Sequence, residues 1–171
     1  MQVSIPATGS ALGTEVTSTD PSINIESDLM IKIANVNPLP ADSNIEITIP
    51  DDFDFRNVSA SAVTLLGSNF NSDPQATFNN ETGRLIVSKI NTVPLKSGDF
   101  IYVVVGPVTN PTDTEPTSSF SYLITDNLGN SVETVDTGIT FSASAGGFSV
   151  IELEMDILTI NEPGASYTFT L

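Results

Sequence analysis

The sequence predicts an all-β chain: an Ig-like antiparallel β-sandwich with terminal strand extensions. Three observations carry this. Apolar residues recur at every second position in several separate runs, the mark of strands with one buried face. The runs arrive at roughly 8–15 residue spacing, with Gly, Pro, Asn and Asp between them, as in a sandwich. No segment shows a helical stripe.

The runs follow in order. Leu29, Ile31 and Ile33 alternate with Met30, Lys32 and Ala34. Ile45, Ile47 and Ile49 alternate with Glu46 and Thr48 and stop at Pro50. Val63 to Leu66 is a short apolar run, and Leu85-Ile86-Val87 follows the turn Asn80-Glu81-Thr82-Gly83. Phe100 to Val105 is apolar on both faces, which predicts a central strand. Phe120, Tyr122 and Ile124 alternate with Ser119, Ser121 and Leu123. Asp126-Asn127-Leu128-Gly129-Asn130 is a turn, and Val132 to Phe141 is its hairpin partner, offering Val135, Ile139 and Phe141 to a core. Pro38, Pro40, Pro50, Pro74, Pro94, Pro107, Pro111 and Pro116 are expected between strands, with Pro107 to Thr117 a crossover connecting the sheets.

This organisation divides the chain into an N-terminal arm or linker (1–21), a β-sandwich core (22–142), a Ser/Ala/Gly hinge (143–148) and a C-terminal strand pair (149–171). In the last part, Ile151, Leu153, Met155 and Ile157 alternate with Glu152, Glu154 and Asp156; after Pro163-Gly164, Tyr167, Phe169 and Leu171 alternate with Thr168 and Thr170. An amphipathic strand cannot bury its apolar face alone and is an aggregation hazard when bare. Two readings are open. The pair supplies the last strands of its own sandwich, or it is donated to a neighbouring copy as β-augmentation. Ser22-Ile23-Asn24 before the Leu29 run and Thr159-Ile160-Asn161 before the Tyr167 run form a short internal echo, as the opening of a second repeat would.

Composition excludes several chemistries. The 171 residues hold 21 Asp plus Glu against 5 Lys plus Arg, a net charge of −16, with no His, Cys or Trp. No disulfide, zinc-thiolate site or Cys nucleophile can form, and no imidazole can act as base or metal ligand. Without a basic patch, nucleic acid and anionic lipid are not expected partners. No apolar stretch is long enough for a membrane span, so no membrane insertion is expected. Ser, Thr and Asn make up roughly a third of the chain, well above an average domain. That small-polar, Lys-poor, acidic composition predicts an extracellular or cell-surface protein. Met1-Gln2-Val3-Ser4 lacks a leader pattern, so the expectation is a mature form or a segment of a longer chain.

Three stretches carry a family resemblance. Asn44-Ile45-Glu46-Ile47-Thr48-Ile49-Pro50 runs on to Phe53; Val108-Thr109-Asn110-Pro111 leads to Pro116-Thr117-Ser118-Ser119-Phe120-Ser121; Asp126 to Asn130 closes a turn. Over residues 22–142 this pattern resembles the repeated extracellular Ig-like β-sandwich modules of protist (ciliate-type) surface proteins. The resemblance implies surface structure and supplies no catalytic residues.

Asn57-Val58-Ser59 and Asn80-Glu81-Thr82 match the N-glycosylation acceptor pattern, making Asn57 and Asn80 candidate sites for covalent glycans. Thr109, Thr112, Thr114, Thr117 and Ser118 form a Thr/Pro tract that reads as a solvated loop or a carrier of O-linked sugars. Asp51, Asp52 and Asp54 are the candidate metal residues, but lack EF-hand spacing and read first as a solvated loop. No cofactor is expected. Carboxylate catalysis of the glycosidase kind would need a cleft with stacking aromatics, and the chain has no Trp and three Tyr, so no enzyme is expected.

The expected function is a structural subunit of an extracellular fibril or surface coat. Its partners are copies of itself, joined head-to-tail by strand complementation through Ile151, Leu153, Met155, Ile157, Tyr167, Phe169 and Leu171. The alternative is a monomeric adhesion or carbohydrate-binding module of a cell-surface protein.

Overall fold

The alternation in the sequence becomes alternation in burial. The computed structural model describes residues 7, 8 and 13–145. Ten strands run through them: β1 (Ala7–Thr8), β2 (Glu15–Ser18), β3 (Glu26–Ala34), β4 (Asn44–Thr48), β5 (Val63–Leu65), β6 (Gln75–Asn79), β7 (Arg84–Ser88), β8 (Phe100–Thr109), β9 (Phe120–Thr125) and β10 (Ser131–Ile139). A single turn of 3-10 helix, Ala60–Ala62, precedes β5.

The strands form two sheets, a six-stranded one in the order β1-β10-β9-β4-β7-β6 and a four-stranded one in the order β2-β3-β8-β5. All pairings between named strands are antiparallel except β1 with β10. β3 and β8 take the places of strands B and E of an immunoglobulin sandwich, and β4, β9 and β10 those of C, F and G. The fold is an Ig-like β-sandwich. Its core lies between the sheets: Leu29, Ile31 and Ile33 of β3 and Ile101, Val103 and Val105 of β8 face Ile45 and Ile47 of β4, Leu85 and Val87 of β7 and Ile124 of β9. Each such side chain contributes about 1.5–3 kcal/mol by leaving water. At one end Phe53 packs between Phe120 and Phe141, with ring centroids 5.7 and 5.3 Å away.

Several elements depart from the expectation. β2 pairs with β3 from Glu15↔Lys32 to Ser18↔Leu29, so the sandwich begins before residue 22 and part of the expected arm is an edge strand. β6 escaped the sequence reading because its inward residues are only Ala76 and Phe78, both half-buried. Pro107 lies inside β8 rather than in a connection. It is tolerated because the β3–β8 ladder shifts register opposite it, between Ser27 and Leu29, where a missing N–H breaks nothing. The crossover therefore starts at Asn110.

The core also holds a carboxylate, that of Glu133. It is fully buried, on the inward side of β10. The Tyr122 hydroxyl donates to its Oε1 at 2.8 Å and the Val36 N–H to its Oε2 at 2.7 Å. The carboxylate thus ties β9 and β10 to the segment following β3, joining the two layers. Burial, and then the bond to Glu133, push the Tyr122 hydroxyl well above its ordinary pKa.

The chain leaves the described sandwich at a defined pole. Ser144 donates its N–H to Pro21 O at 2.8 Å, and its own carbonyl accepts from Ile23 N–H at 3.0 Å. Buried Asn110 secures the same corner, donating through Nδ2 to Asp20 O at 2.5 Å and Ser22 O at 2.9 Å. So residues 143–145, the start of the expected hinge, are built onto the sandwich. Residues 149–171, with Ile151, Leu153, Met155, Ile157, Tyr167, Phe169 and Leu171, lie outside the described residues.

Candidate functional site

β8 is central in its sheet, as its two-faced apolar sequence predicts. Ile101, Val103 and Val105 fill the core. Phe100, Tyr102 and Val104 take the other face, which no layer covers among the described residues. Phe100 is 42% exposed, and Tyr102 and Val104 are half-buried. β3 lies alongside with Ala34↔Phe100, Lys32↔Tyr102 and Met30↔Val104 in register, extending the apolar surface. On the other side Thr64 pairs with Val104, and Leu66, just past β5, is 43% exposed. Lys32 is the cation among the outward residues of β3, β8 and β5. Its Nζ sits 4.7 Å from the centre of the Phe100 ring and 3.7 Å from Glu15 Oε2 on β2.

The face ends in a groove. β5 has three residues against the ten of β8, and the bonding ends with Leu66 N–H to Tyr102 O at 3.1 Å. Gly67 then turns the chain away with a φ of 122°, a conformation side chains resist; a Cβ there would also stand 3.0 Å from the Phe70 ring. Beyond the turn, Asn71 N–H bonds Ile90 O and Thr92 N–H bonds Asn69 O, so the chain has crossed toward the other sheet. The space left beside the start of β8 is a cavity of about 320 Å³ lined by Leu66, Phe70, Leu95, Phe100 and Tyr102, with Ser68, Asn69 and Asp99 adding polar groups. Asp99 Oδ2 accepts the Lys96 N–H at 2.7 Å.

The arrangement can hold apolar side chains against a sheet edge. Sequence reasoning did not assemble it, because its lining comes from three separate segments. The available signal was the two-faced run Phe100 to Val105, which marked a face needing cover.

The sequence-predicted sites lie elsewhere. Asp51 and Asp52 are exposed after β4, and Asp52 Oδ2 accepts the Ser118 N–H at 3.0 Å. Asp54 is bound by the Arg56 guanidinium and backbone N–H, which hold its carboxyl down at about 2. Only Asp54 of the three is engaged by Arg56, and among the described residues no three acidic side chains gather as a metal set would. Asn57 and Asn80 are both exposed in loops. The Asn57 amide donates to Glu26 Oε1 at 3.0 Å, and that of Asn80 to the carbonyls of Arg56 at 3.0 Å and Val58 at 3.3 Å.

No protein-family model matches the chain, and no curated protein matches it. Among solved structures it is similar to BslA, a bacterial hydrophobin, at 13% identity over 78% of this chain and 96% of that one, with a TM-score of 0.42. It is similar to the collagen-binding domain of a Staphylococcus aureus adhesin at 13% identity, covering 75% of this chain and 100% of that one, with a TM-score of 0.36. Domains D2 and D3 of the major pilin SpaD from Corynebacterium diphtheriae share 18% identity over 72% of this chain and 50% of theirs, with a TM-score of 0.40. At these identities and TM-scores the likenesses assign no ligand, partner or activity.

Proposed function

We propose that the chain is a structural subunit of an extracellular fibril or surface coat, assembling head-to-tail by β-strand complementation. The observation that carries this reading is the bare apolar face of β8 and the groove beside it. A strand apolar on both sides belongs between two covering layers, and one of its faces is open among the described residues. The core between the sheets is filled by residues 29–143, while a further set of alternating apolar residues, Ile151, Leu153, Met155 and Ile157 and then Tyr167, Phe169 and Leu171, follows in the sequence. Backbone bonding along an edge plus side chains in a groove is how strand addition works. A head-to-tail contact that does not close into a ring builds a filament. The acidic, Ser/Thr/Asn-rich composition supports a surface location, and exposed Asn57 and Asn80 are the places for covalent glycans. The subunit's role is mechanical, and no catalytic residue is assigned.

Deleting residues 149–171 tests the reading. The truncated protein is expected to remain folded and monomeric where the full chain forms oligomers or fibres by size exclusion and negative-stain imaging. Unchanged oligomers after truncation would remove the C-terminal segment from the contact.

A second reading has its own observation. The Phe100 and Tyr102 rings border a cavity that also holds Asn69 and Asp99, a combination that could stack and hydrogen-bond a sugar. As a monomeric adhesion or carbohydrate-binding module, the full chain would stay monomeric across a concentration series.

A further inference from the structure

We infer that the groove between β5 and the start of β8 is the acceptor site, and that its occupant is the segment 151–157 of a second copy. The inference rests on the assembly reading above and names the surface it uses.

Three observations point to this occupant. The first is shape and chemistry. The groove is an apolar trough along an unfinished sheet edge, and Ile151, Leu153, Met155 and Ile157 are aliphatic side chains on one side of a strand-patterned segment. The second is charge. Glu152, Glu154 and Asp156 alternate with those aliphatics in the sequence, and two of the chain's 5 cations lie next to lining residues of the groove. Lys32 lies over the Phe100 ring, and exposed Lys96 follows the lining residue Leu95. Arg56 and Arg84 are engaged by Asp54 and Glu46, and Lys32 is shared with Glu15.

The third is reach. Ser144 is fastened beside Pro21 and Ile23, at the pole where β3 begins and β8 ends, while the groove lies where β8 begins. The ten residues of β8 separate the two poles by about 30 Å at 3.3 Å per residue. The chain from Ala145 to Ile151 spans at most about 22 Å, and from Ala145 to Leu153 at most about 29 Å. Ile151 therefore falls short of the groove on its own copy, whose lining residue Tyr102 lies about 23 Å along β8 from Thr109. A neighbour stacked pole to pole presents its groove directly to this anchor, which is the head-to-tail geometry.

Disulfide trapping tests this cleanly because the chain has no Cys. Leu66→Cys lies at an exposed position on the groove rim, and Met155→Cys lies in the proposed occupant. The two single variants of the full chain are mixed and oxidised at a concentration where the unmodified protein assembles. Mixed dimers are expected about tenfold above those from Met155→Cys mixed with Thr77→Cys on β6, because docking raises the local thiol concentration. The double variant is expected to give a ladder of linked oligomers. Phe100→Cys, also on the exposed rim, serves as a second acceptor should Leu66→Cys fold poorly. Cross-linking within single chains of the double variant would overturn the inference by showing fold-back. Assembly of the unmodified protein without a cross-link from either rim position would overturn the groove assignment and leave the assembly reading standing. A full chain that stays monomeric at every concentration would overturn both.

Discussion

The outer faces of the two sheets differ, although their inner faces are built alike. On the six-stranded sheet the outward residues of β4 and β9 are Asn44, Glu46, Thr48, Ser121, Leu123 and Thr125, and Arg84 of β7 pairs with Glu46 at 2.5 Å. The depression on that side, about 200 Å³, is lined by Glu46, Thr48, Ser121 and Asp136 among others. On the four-stranded sheet the outward residues include Met30, Ala34, Phe100, Tyr102 and Val104, with Leu66 at the edge, and the groove is mainly apolar. Isolated apolar side chains on a surface are ordinary; a contiguous patch rimmed by polar residues marks an interaction surface. Among the described residues, one sheet carries a polar outer face and the other a contiguous apolar one.

The largest expected effect breaks the frame on which both faces stand. Glu133→Ala leaves the buried Tyr122 hydroxyl and Val36 N–H without their acceptor, and about 3 kcal/mol of stability should be lost in denaturant unfolding. Glu133→Gln keeps the shape and one acceptor and should lose less. A smaller effect on folding, but a complete one on assembly, is expected from Tyr102→Asp. A charge on a half-exposed outer position changes domain stability by about 1 kcal/mol or less, yet it should abolish oligomers in size exclusion. Leu123→Asp, the matching change on the other sheet, should leave assembly intact; loss of oligomers there would erase the contrast between the faces. The smallest effect concerns Asp54. Its folded carboxyl titrates at about 2, below the ordinary carboxylate value, because Arg56 bonds it. A depressed value contributes stability above the unfolded pKa near 4, lost as pH falls through about 2. An NMR titration should show this low midpoint, and Arg56→Gln should raise it while assembly at neutral pH is unchanged.

Much of the frame was legible because period-2 patterning is a local signal. β3, β4, β9 and β10 could be read from Leu29-Ile31-Ile33, Ile45-Ile47-Ile49, Phe120-Tyr122-Ile124 and Val135-Ile139. β2 and β6 were not, since edge strands with half-buried Val16, Ala76 and Phe78 carry little apolar contrast. Pro107 misled because a bulge is a property of two strands together. Buried Glu133 carried no sequence signal, because a carboxylate in a core is decided by partners distant in sequence. The groove shared that fate. Leu66, Phe70, Leu95 and Tyr102 meet only after Gly67 turns the chain, while the two-faced run of β8 announced that something must cover it.

Hydroxyl-radical footprinting of the full chain, dilute against concentrated, tests that cover most directly. Met30, Phe100 and Tyr102 are reactive side chains on the bare face, and all three should lose modification as concentration rises, while Leu123 on the opposite sheet keeps it. If Phe100 and Tyr102 are modified equally in dilute protein and in assembled material, the face of β8 is not the contact and the account fails.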